Sequence, residues 1–373
     1  MRKLVAVNLL VLFVLFNLVY WSLPIWHVLK NLFTSNEVAE DTRARQPNYA
    51  NVTWAPQHFR ELKQAEWDYR SFIGWRRRPF QGETITVGGR YGQRRTINDG
   101  TNEAKTVYFF GGSTMWGTGV RDDGTIPSQF AAAIGYRSEN FGETAYTAHQ
   151  SLVLLLQLLE DGHRPNIVVF YDGVNEILIK CRRELTPNSH GREAWIDALV
   201  KSPRLSPTTF SYYFAPLWHV AGWVKSHLTK TVRSPMSWTA QAALGGGAAP
   251  DSGQGYDCDT NRDKAAKIAE NMVHDWQMAK LLVESYNARF VGILQPVSFL
   301  SKTRLDHLSD NPVLRSQYQT VYPMMKQRMT QTGGFYDFVD ALDIDQYVYV
   351  DDVHLSPNGN QLIAAEIAKV IQQ

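Results

Sequence analysis

Residues 107–114 read Val-Tyr-Phe-Phe-Gly-Gly-Ser-Thr, so a continuous apolar stretch ends in two glycines and then presents a hydroxyl group. Two further apolar runs, residues 167–171 and 290–294, have the same short and continuous character. Such runs are typical of parallel strands that are buried on both faces of a sheet. Helical patterns separate them, and this alternation predicts an α/β fold with a doubly wound, three-layer parallel sheet and a site at its carboxyl edge.

Two of the helical patterns have recognisable beginnings. Apolar residues recur at helical spacing between residues 268 and 283, after a Thr-Asn-Arg-Asp start at 260–263, and Trp276 is expected in the core. Ser356-Pro357 predicts the start of a last helix. His354 is therefore expected in the loop just before that helix, where its ring projects over the strand ends.

Three positions far apart in the sequence carry the groups that acyl transfer requires. A serine hydroxyl is a weak nucleophile until a neighbouring base takes its proton, and an imidazole does so when a third group holds its tautomer. Ser113 is the candidate nucleophile, His354 the candidate base and Asp351 the candidate orienting acid. Each also has an ordinary interpretation: Ser113 as a helix N-cap, and Asp351-x-x-His354 as a solvated loop.

The tetrahedral intermediate of acyl transfer also needs hydrogen-bond donors directed at its oxyanion. The Ser113 N–H, the Gly142 N–H and the Asn175 side chain are the candidate donors. Asn175 closes the sequence Gly-Val-Asn at 173–175, which is otherwise readable as a simple turn, because Gly and Asn both tolerate positive φ. Gly173 and Trp116, three residues past Ser113, are candidates for lining the substrate pocket.

In chain order, the four blocks Gly111-Gly112-Ser113-Thr114, Asn140-Phe141-Gly142, Gly173-Val174-Asn175 and Asp351-x-x-His354 resemble those of the SGNH (GDSL-type) hydrolases. The resemblance covers residues 105–373, interrupted by an insertion. It implies a flavodoxin-like α/β fold and a serine esterase centre in which Gly142 and Asn175 complete the oxyanion hole. Gly112 stands where many members carry Asp, which is not the triad acid, so this departure leaves the implied triad intact.

The composition of the 373-residue chain is that of a globular protein with one added apolar segment. The formal net charge of +2, without a basic stripe interleaved with aromatic residues, gives no support for nucleic-acid binding. The two cysteines are far apart and the histidines are scattered, so neither a metal site nor a cofactor is expected.

The N-terminus has the pattern of a membrane anchor. No charged residue lies between Leu4 and Trp26, and about 20 such residues span a bilayer as a helix. Arg2-Lys3 precedes the run, which predicts a single-pass protein with a cytoplasmic N-terminus and an exported, periplasmic or extracellular remainder. A cleaved signal peptide is the alternative. Residues 1–30 are thus interpreted as the anchor and residues 31–60 as a polar linker.

Residues 61–100 are interpreted as a small β extension, and residues 101–373 as the hydrolase-like domain. A hairpin-like pattern around Gly88-Gly89 supports the extension. Its arginines, at 76–78 and 94–95, are expected on a solvated surface, with anionic head groups or an acidic glycan as alternative partners.

The insertion, residues 182–257, interrupts the alternation of strands and helices. It is a candidate lid or substrate-binding segment whose tryptophans stack on sugar rings or contact lipid; a small aromatic core is the alternative. These tryptophans are Trp195, Trp218, Trp223 and Trp238. Cys181 and Cys258 bracket the insertion, so export allows a disulfide between them, with two buried thiols as the alternative.

Together these patterns favour an exported, membrane-anchored serine esterase or deacylase. Its expected substrates are acyl esters, as small molecules or on an envelope or extracellular polysaccharide, cleaved through a covalent acyl-enzyme on Ser113. The expected partners are the lipid bilayer, the acylated glycan and polysaccharide-assembly proteins. Two alternatives stay open: a polysaccharide O-acetyltransferase with the same triad, and a catalytically silent glycan-binding assembly protein.

Overall fold

The computed structural model describes residues 41–193 and 255–373, together with residues 8, 11–15 and 196. The predicted anchor, apart from those few N-terminal positions, and the four tryptophans of the insertion lie outside the described residues. Within the described part of the chain, no helix is long and apolar enough to cross a membrane. The single-pass anchor therefore stays a prediction.

The chain divides into two units, of which one comprises Met1–Ala39 and Ala194–Ser237 and lies almost entirely outside the described residues. The second unit comprises Glu40–Glu193 and Trp238–Gln373 and contains all the strands and helices below. Its strands are β1 (Trp67–Arg70), β2 (Gly74–Arg77), β3 (Phe80–Gln81), β4 (Thr86–Gly88), β5 (Gln93–Arg94), β6 (Asn102–Gly111), β7 (Tyr136–Asn140), β8 (Ile167–Asp172), β9 (Arg289–Leu294) and β10 (Phe335–Asp337).

Eight of the described strands form one mostly parallel sheet in the order β10-β9-β8-β6-β7-β5-β4-β3. Its parallel part, β7-β6-β8-β9-β10, has the flavodoxin-like order, which reverses direction between β6 and β8. Phe109 of β6 packs into the core on one face of the sheet and Phe110 into the core on the other. The β6 sequence is therefore continuously apolar, because both of its faces are covered.

Helices cover both faces of the sheet, and the architecture is three-layered. They are α1 (Ala55–Gln64), α2 (Ser113–Trp116), α3 (Ile126–Ile134), α4 (Ala148–Glu160), α5 (Val174–Lys180), α6 (Arg262–Glu284), α7 (Pro312–Thr332) and α8 (Pro357–Gln372). The buried side chains of α4 to α7 share one core, and those of α3 and α8 share the other. Helix α8 begins as expected, because the Ser356 hydroxyl accepts from the Gly359 N–H at 3.2 Å. Helix α6 begins one residue later than expected, because Asn261 caps it by accepting from the Lys264 N–H.

Residues 41–60, interpreted from the sequence as linker, are packed secondary structure. Two 3₁₀ turns, Thr42–Arg45 and Pro47–Tyr49, lead into α1. Tyr49 and Phe59 are buried in a third core, which also includes Trp116. The linker interpretation of this part is therefore wrong, since its aromatic side chains have a partner surface on the α/β domain that a local reading of the sequence cannot reveal.

The stretch 61–100 holds the end of α1 and five strands. Strands β1 and β2 form a separate antiparallel hairpin. Strands β3 to β5 pair antiparallel with one another, and β5 joins the main sheet through Arg94 opposite Asn140 of β7. Strands β3 to β5 are thus an antiparallel continuation of the main sheet.

Candidate active site

Ser113 lies at the switch point of the sheet, where β6 ends and α2 begins. Its side chain is almost buried, with the residue 8% exposed. As the first residue of a helix, Ser113 has a backbone N–H without an intrahelical acceptor, so this N–H is directed away from the helix as a donor. The nucleophile candidate is thereby presented next to a hydrogen-bond donor of its own backbone.

The structure brings Ser113, His354 and Asp351 together. Ser113 Oγ lies 2.7 Å from His354 Nε2, and His354 Nδ1 lies 2.8 Å from both carboxylate oxygens of Asp351. An ionised carboxylate only accepts hydrogen bonds, so Nδ1 carries the ring proton and Nε2 accepts from the Ser113 hydroxyl. This is the arrangement in which an imidazole can take the serine proton.

The carboxylate of Asp351 accepts several further hydrogen bonds. Its Oδ1 accepts from the backbone N–H groups of Val353 and His354 at 3.1 and 2.9 Å, and its Oδ2 accepts from Arg43 at 3.2 Å. Burial by itself raises the pKa of Asp351, but His354 and Arg43 outweigh it and hold the pKa well below its ordinary value. Asp351 is therefore ionised at neutral pH. No local sequence pattern indicated Arg43, which comes from the supposed linker.

Asn175, at the start of α5, directs its amide to the switch point. Asn175 Nδ2 donates to the Tyr146 carbonyl at 2.7 Å, which leaves its second N–H for a ligand. The amide lies directly beside Gly112: a Cβ there would come closer than 3.0 Å to Asn175 Nδ2 and 3.4 Å from Asn175 Cγ. In this chain, the absence of a side chain at position 112 thus leaves room for the Asn175 amide.

Glu176 fixes the turn that carries Asn175. Its two carboxylate oxygens accept from the Ala148 N–H at 2.7 Å and from the Gly173 N–H at 3.0 Å. Neighbouring Asp172 accepts from the Trp276 indole at 2.8 Å. Burial and the negative charge of Glu176 raise the pKa of Asp172 well above its ordinary value, so this second carboxyl is held protonated beneath the turn.

Gly142 lies beside α2, but its N–H is already engaged. It donates to Asn140 Oδ1 at 3.0 Å, while Asn140 Nδ2 donates to the Met115 carbonyl. A Cβ at position 142 would be 2.5 Å from the Trp116 backbone nitrogen, so glycine is required here for close packing. As an oxyanion donor, Gly142 would have to share its N–H with Asn140 or release it.

The two residues expected to line the pocket are both buried. Trp116 is fully buried between the guanidinium groups of Arg77 and Arg94, at 4.3 and 4.4 Å from its ring centroid. Gly173 is buried, and a Cβ there would meet Leu294 and Tyr322. The pocket-lining interpretation is therefore wrong for both: Trp116, the last residue of α2, packs into the third core, and Gly173 is a turn glycine with φ +121°.

The arginines of the β extension correct a second expectation. Arg76, Arg77 and Arg94 are buried rather than solvated, whereas Arg78 and Arg95 are exposed, as expected. Arg94 pairs with Asp122 at 3.0 Å, and Glu143 lies 3.7 Å from Arg77. Burial lowers the pKa of Arg77 to about 10, although the charge of Glu143 opposes the shift. The aromatic faces that receive these cations come from distant parts of the chain, so a charge run in the sequence could not indicate them.

Cys181 and Cys258 are joined by a disulfide bond, which closes the insertion at its base. Among the described residues, no group of His, Cys, Asp and Glu side chains has the arrangement of a metal site.

No protein-family model matches the sequence, and no curated protein does. Several solved structures are similar in part. A member of the lipolytic G-D-S-L family from Veillonella parvula is 13% identical, with 72% of this chain and 99% of that chain covered and a TM-score of 0.40. A carbohydrate acetylesterase from Sinorhizobium meliloti is 12% identical, with 72% and 98% covered and a TM-score of 0.38. A GDSL-like lipase from Bacteroides thetaiotaomicron is 11% identical, with 72% and 88% covered and a TM-score of 0.36. Similarity at this level carries no weight for function, which rests on the geometry of the site.

Proposed function

We propose that this chain is a serine ester hydrolase that cleaves acyl esters through a covalent intermediate on Ser113. The observation that carries the proposal is the hydrogen-bonded chain from Ser113 Oγ through His354 to Asp351, with distances of 2.7 and 2.8 Å. A hydroxyl, an imidazole and an ionised carboxylate in this order form a nucleophile, a general base and the group that orients the base.

The proposed reaction has two steps. In the first, Ser113 Oγ attacks the ester carbonyl while His354 Nε2 takes the hydroxyl proton; the oxyanion receives the Ser113 N–H and the second Asn175 N–H. Collapse of the intermediate breaks the bond to the alcohol oxygen, which takes the proton from His354. In the second step, water attacks the acyl-enzyme, His354 takes the water proton, and the acid leaves as the proton returns to Ser113.

We further propose that the enzyme is exported, anchored by residues 4–26 and active on acyl esters of an envelope or extracellular polysaccharide. The uncharged apolar run supports the anchor. The disulfide between Cys181 and Cys258 supports an oxidising compartment. Proteins that assemble or modify the polysaccharide would be partners of such an enzyme.

Turnover of a short-chain aryl ester tests the reaction. Wild type is expected to turn over and to gain one covalent adduct from a serine-directed phosphonate, located at Ser113 by peptide mass spectrometry. Ser113→Ala is expected to lose both. The matched control is Ser285→Ala, because the exposed Ser285 hydroxyl bonds only to its own helix, at the Leu282 carbonyl. Wild-type activity in Ser113→Ala would contradict the proposal, and a phosphonate-inert wild type would favour a silent glycan-binding protein.

An acetylated polysaccharide tests the substrate. Release of free acetate that depends on Ser113 is the expected result, since water is the proposed acceptor. Transfer of acetyl from an activated ester to a deacetylated glycan, measured as a mass gain of the glycan, would instead identify an O-acetyltransferase that uses the same acyl-enzyme.

A further inference from the structure

Residues 41–49, the N-terminal clasp, contact both loops that carry the catalytic groups. Tyr49 donates its phenol to the Gly119 carbonyl at 2.6 Å, in the loop after the nucleophile helix. Asn48 Nδ2 donates to the carbonyls of Tyr347 and Tyr349, each at 2.9 Å, in the loop that leads to the triad acid. The clasp thus joins the two loops whose separation sets the distance from serine to imidazole.

Arg43 is the part of the clasp that reaches the triad itself. Its Nε and one terminal nitrogen donate to the two carboxylate oxygens of Asp41, at 3.0 and 2.9 Å, and its other terminal nitrogen donates to Asp351 Oδ2 at 3.2 Å. The guanidinium stacks on Phe59 at 4.6 Å and is nearly buried. The Asp41 carboxylate and the Phe59 ring hold the planar guanidinium of Arg43 in place. The position of the guanidinium therefore specifies where the Asp351 carboxylate lies.

We propose that Arg43 is a positioning residue of the triad: it holds the Asp351 carboxylate against His354 and places a positive charge beside the Asp351–His354 pair. This inference rests on the proposed hydrolase function. Arg43 does not touch the reacting atoms. It meets Asp351 at Oδ2, which also lies 2.8 Å from His354 Nδ1, and it acts through that carboxylate.

The other titratable groups around Arg43 do not reproduce this effect. Asp41 lies on the same guanidinium and is ionised, because hydrogen bonds and the charge of Arg43 outweigh its burial and lower its pKa. His58 of α1 is buried, and burial and nearby arginines lower its pKa, so it stays neutral. Burial raises the pKa of Asp352, next to the triad acid, to about 6, so this residue carries the opposite charge only above that pH. Removal of Arg43 therefore makes the electrostatic potential at His354 more negative.

Three variants of the full chain test the proposal, assayed by aryl-ester kinetics against pH. In Arg43→Gln, kcat is expected to fall about 10-fold or more with little change in KM, since a hydrogen bond to a charged group contributes that much. The acid limb of the kcat/KM profile is expected to move up by about 0.5–1 pH unit, because a positive charge near the His354–Asp351 pair is lost. Arg43→Lys should keep the wild-type position of the limb while it loses part of kcat. The control is Arg60→Gln, an exposed arginine bonded only to Gln57, which should match wild type.

A wild-type pH profile and kcat in a folded Arg43→Gln would overturn the proposal. If Arg43→Gln lacks a cooperative thermal transition, Arg43→Lys decides. Lysine keeps the positive charge, so an acid limb that moves in Arg43→Lys as far as the shift expected for Arg43→Gln would exclude the charge effect. The Nδ1 proton resonance of His354 in ¹⁵N-histidine-labelled protein is a readout independent of turnover. A shift in Arg43→Gln supports positioning even if wild type proves inactive, and an unchanged resonance refutes it; inactivity of wild type alone refutes only the hydrolase function.

Discussion

Gly112→Ala adds one methyl group beside the proposed oxyanion donor. The backbone at position 112, with φ −78° and ψ −159°, accepts alanine without strain. The new Cβ would lie closer than 3.0 Å to Asn175 Nδ2, whereas a carbon and a nitrogen in contact need about 3.5 Å. Because the peptide at 112 is fixed between β6 and α2, the Asn175 amide at the end of its side chain must move, by about 1 Å or more.

We expect this displacement to cost about 10²-fold in kcat, which approaches the loss of one oxyanion donor, with a smaller effect on KM. Aryl-ester kinetics provide the measurement, and thermal unfolding shows whether the fold is kept. The control is Gly88→Ala, since a Cβ at position 88 has no neighbour within 4 Å. It adds the same methyl group to the same sheet and should leave kcat unchanged.

A double-mutant cycle separates an effect through Asn175 from a general disturbance of the site. Asn175→Ala alone should lower kcat by about 10²- to 10³-fold. Adding Gly112→Ala to it should cost almost nothing more, because the methyl group then has no amide to displace. Losses that multiply, or a Gly112→Ala enzyme as fast as wild type, would refute the role assigned to the Asn175 amide.

Reduction of the Cys181–Cys258 disulfide, which spans 77 residues, should lower the free energy of unfolding by about 4 kcal/mol in the chain-entropy model; denaturant unfolding with and without reductant measures it, and coincident curves would contradict it. Burial and the charges of neighbouring carboxylates raise the pKa of Asp352 to about 6, above its unfolded value of 3.8. The protonated Asp352 side chain therefore contributes fully to stability below pH 3.8, and this contribution is lost as the pH rises through about 6. Asp352→Asn should therefore raise the melting temperature near pH 8 and not near pH 3, and an equal gain at both would exclude ionisation as the cause. A reporter fused after Gln373 should be exported and remain with membranes; a cytoplasmic signal would overturn the proposed topology.

The central sheet could be predicted because its signal is local. Strands β6, β8 and β9 coincide with the three continuous apolar runs, and the carboxyl ends of parallel strands meet at one edge. That rule alone brings Ser113 and Asn175 together across the switch point. The start of α6 was off by one residue, because Thr260 and Asn261 are both good caps and only the backbone path decides between them.

The supports of the site could not be predicted, because they join residues far apart in the sequence. Arg43 and Asp351 are 308 positions apart, and the sequence around neither residue has a periodic pattern that would indicate their contact. Arginines such as Arg77 and Arg94 are usually found on the protein surface, yet both guanidinium groups lie over the buried ring of Trp116. A buried cation is tolerated only where partners are already in place, and a sequence window does not contain those partners.

These supports share an origin in residues 41–100, which precede the part of the chain that resembles the SGNH hydrolases. Arg43 holds the triad acid, while Arg77 and Arg94 enclose Trp116 and thereby fix the helix that begins at Ser113. Side chains that must be placed within fractions of an ångström need such a surrounding layer, because a loosely held nucleophile or acid loses most of its effect. The residues in family-like positions supply the proposed reactive groups, whereas the contacts that hold these groups in place come from the segment before them. Residues 41–100 therefore belong to the same structural unit as the proposed triad, and a chain that begins at residue 101 would leave Trp116 exposed and Asp351 without Arg43.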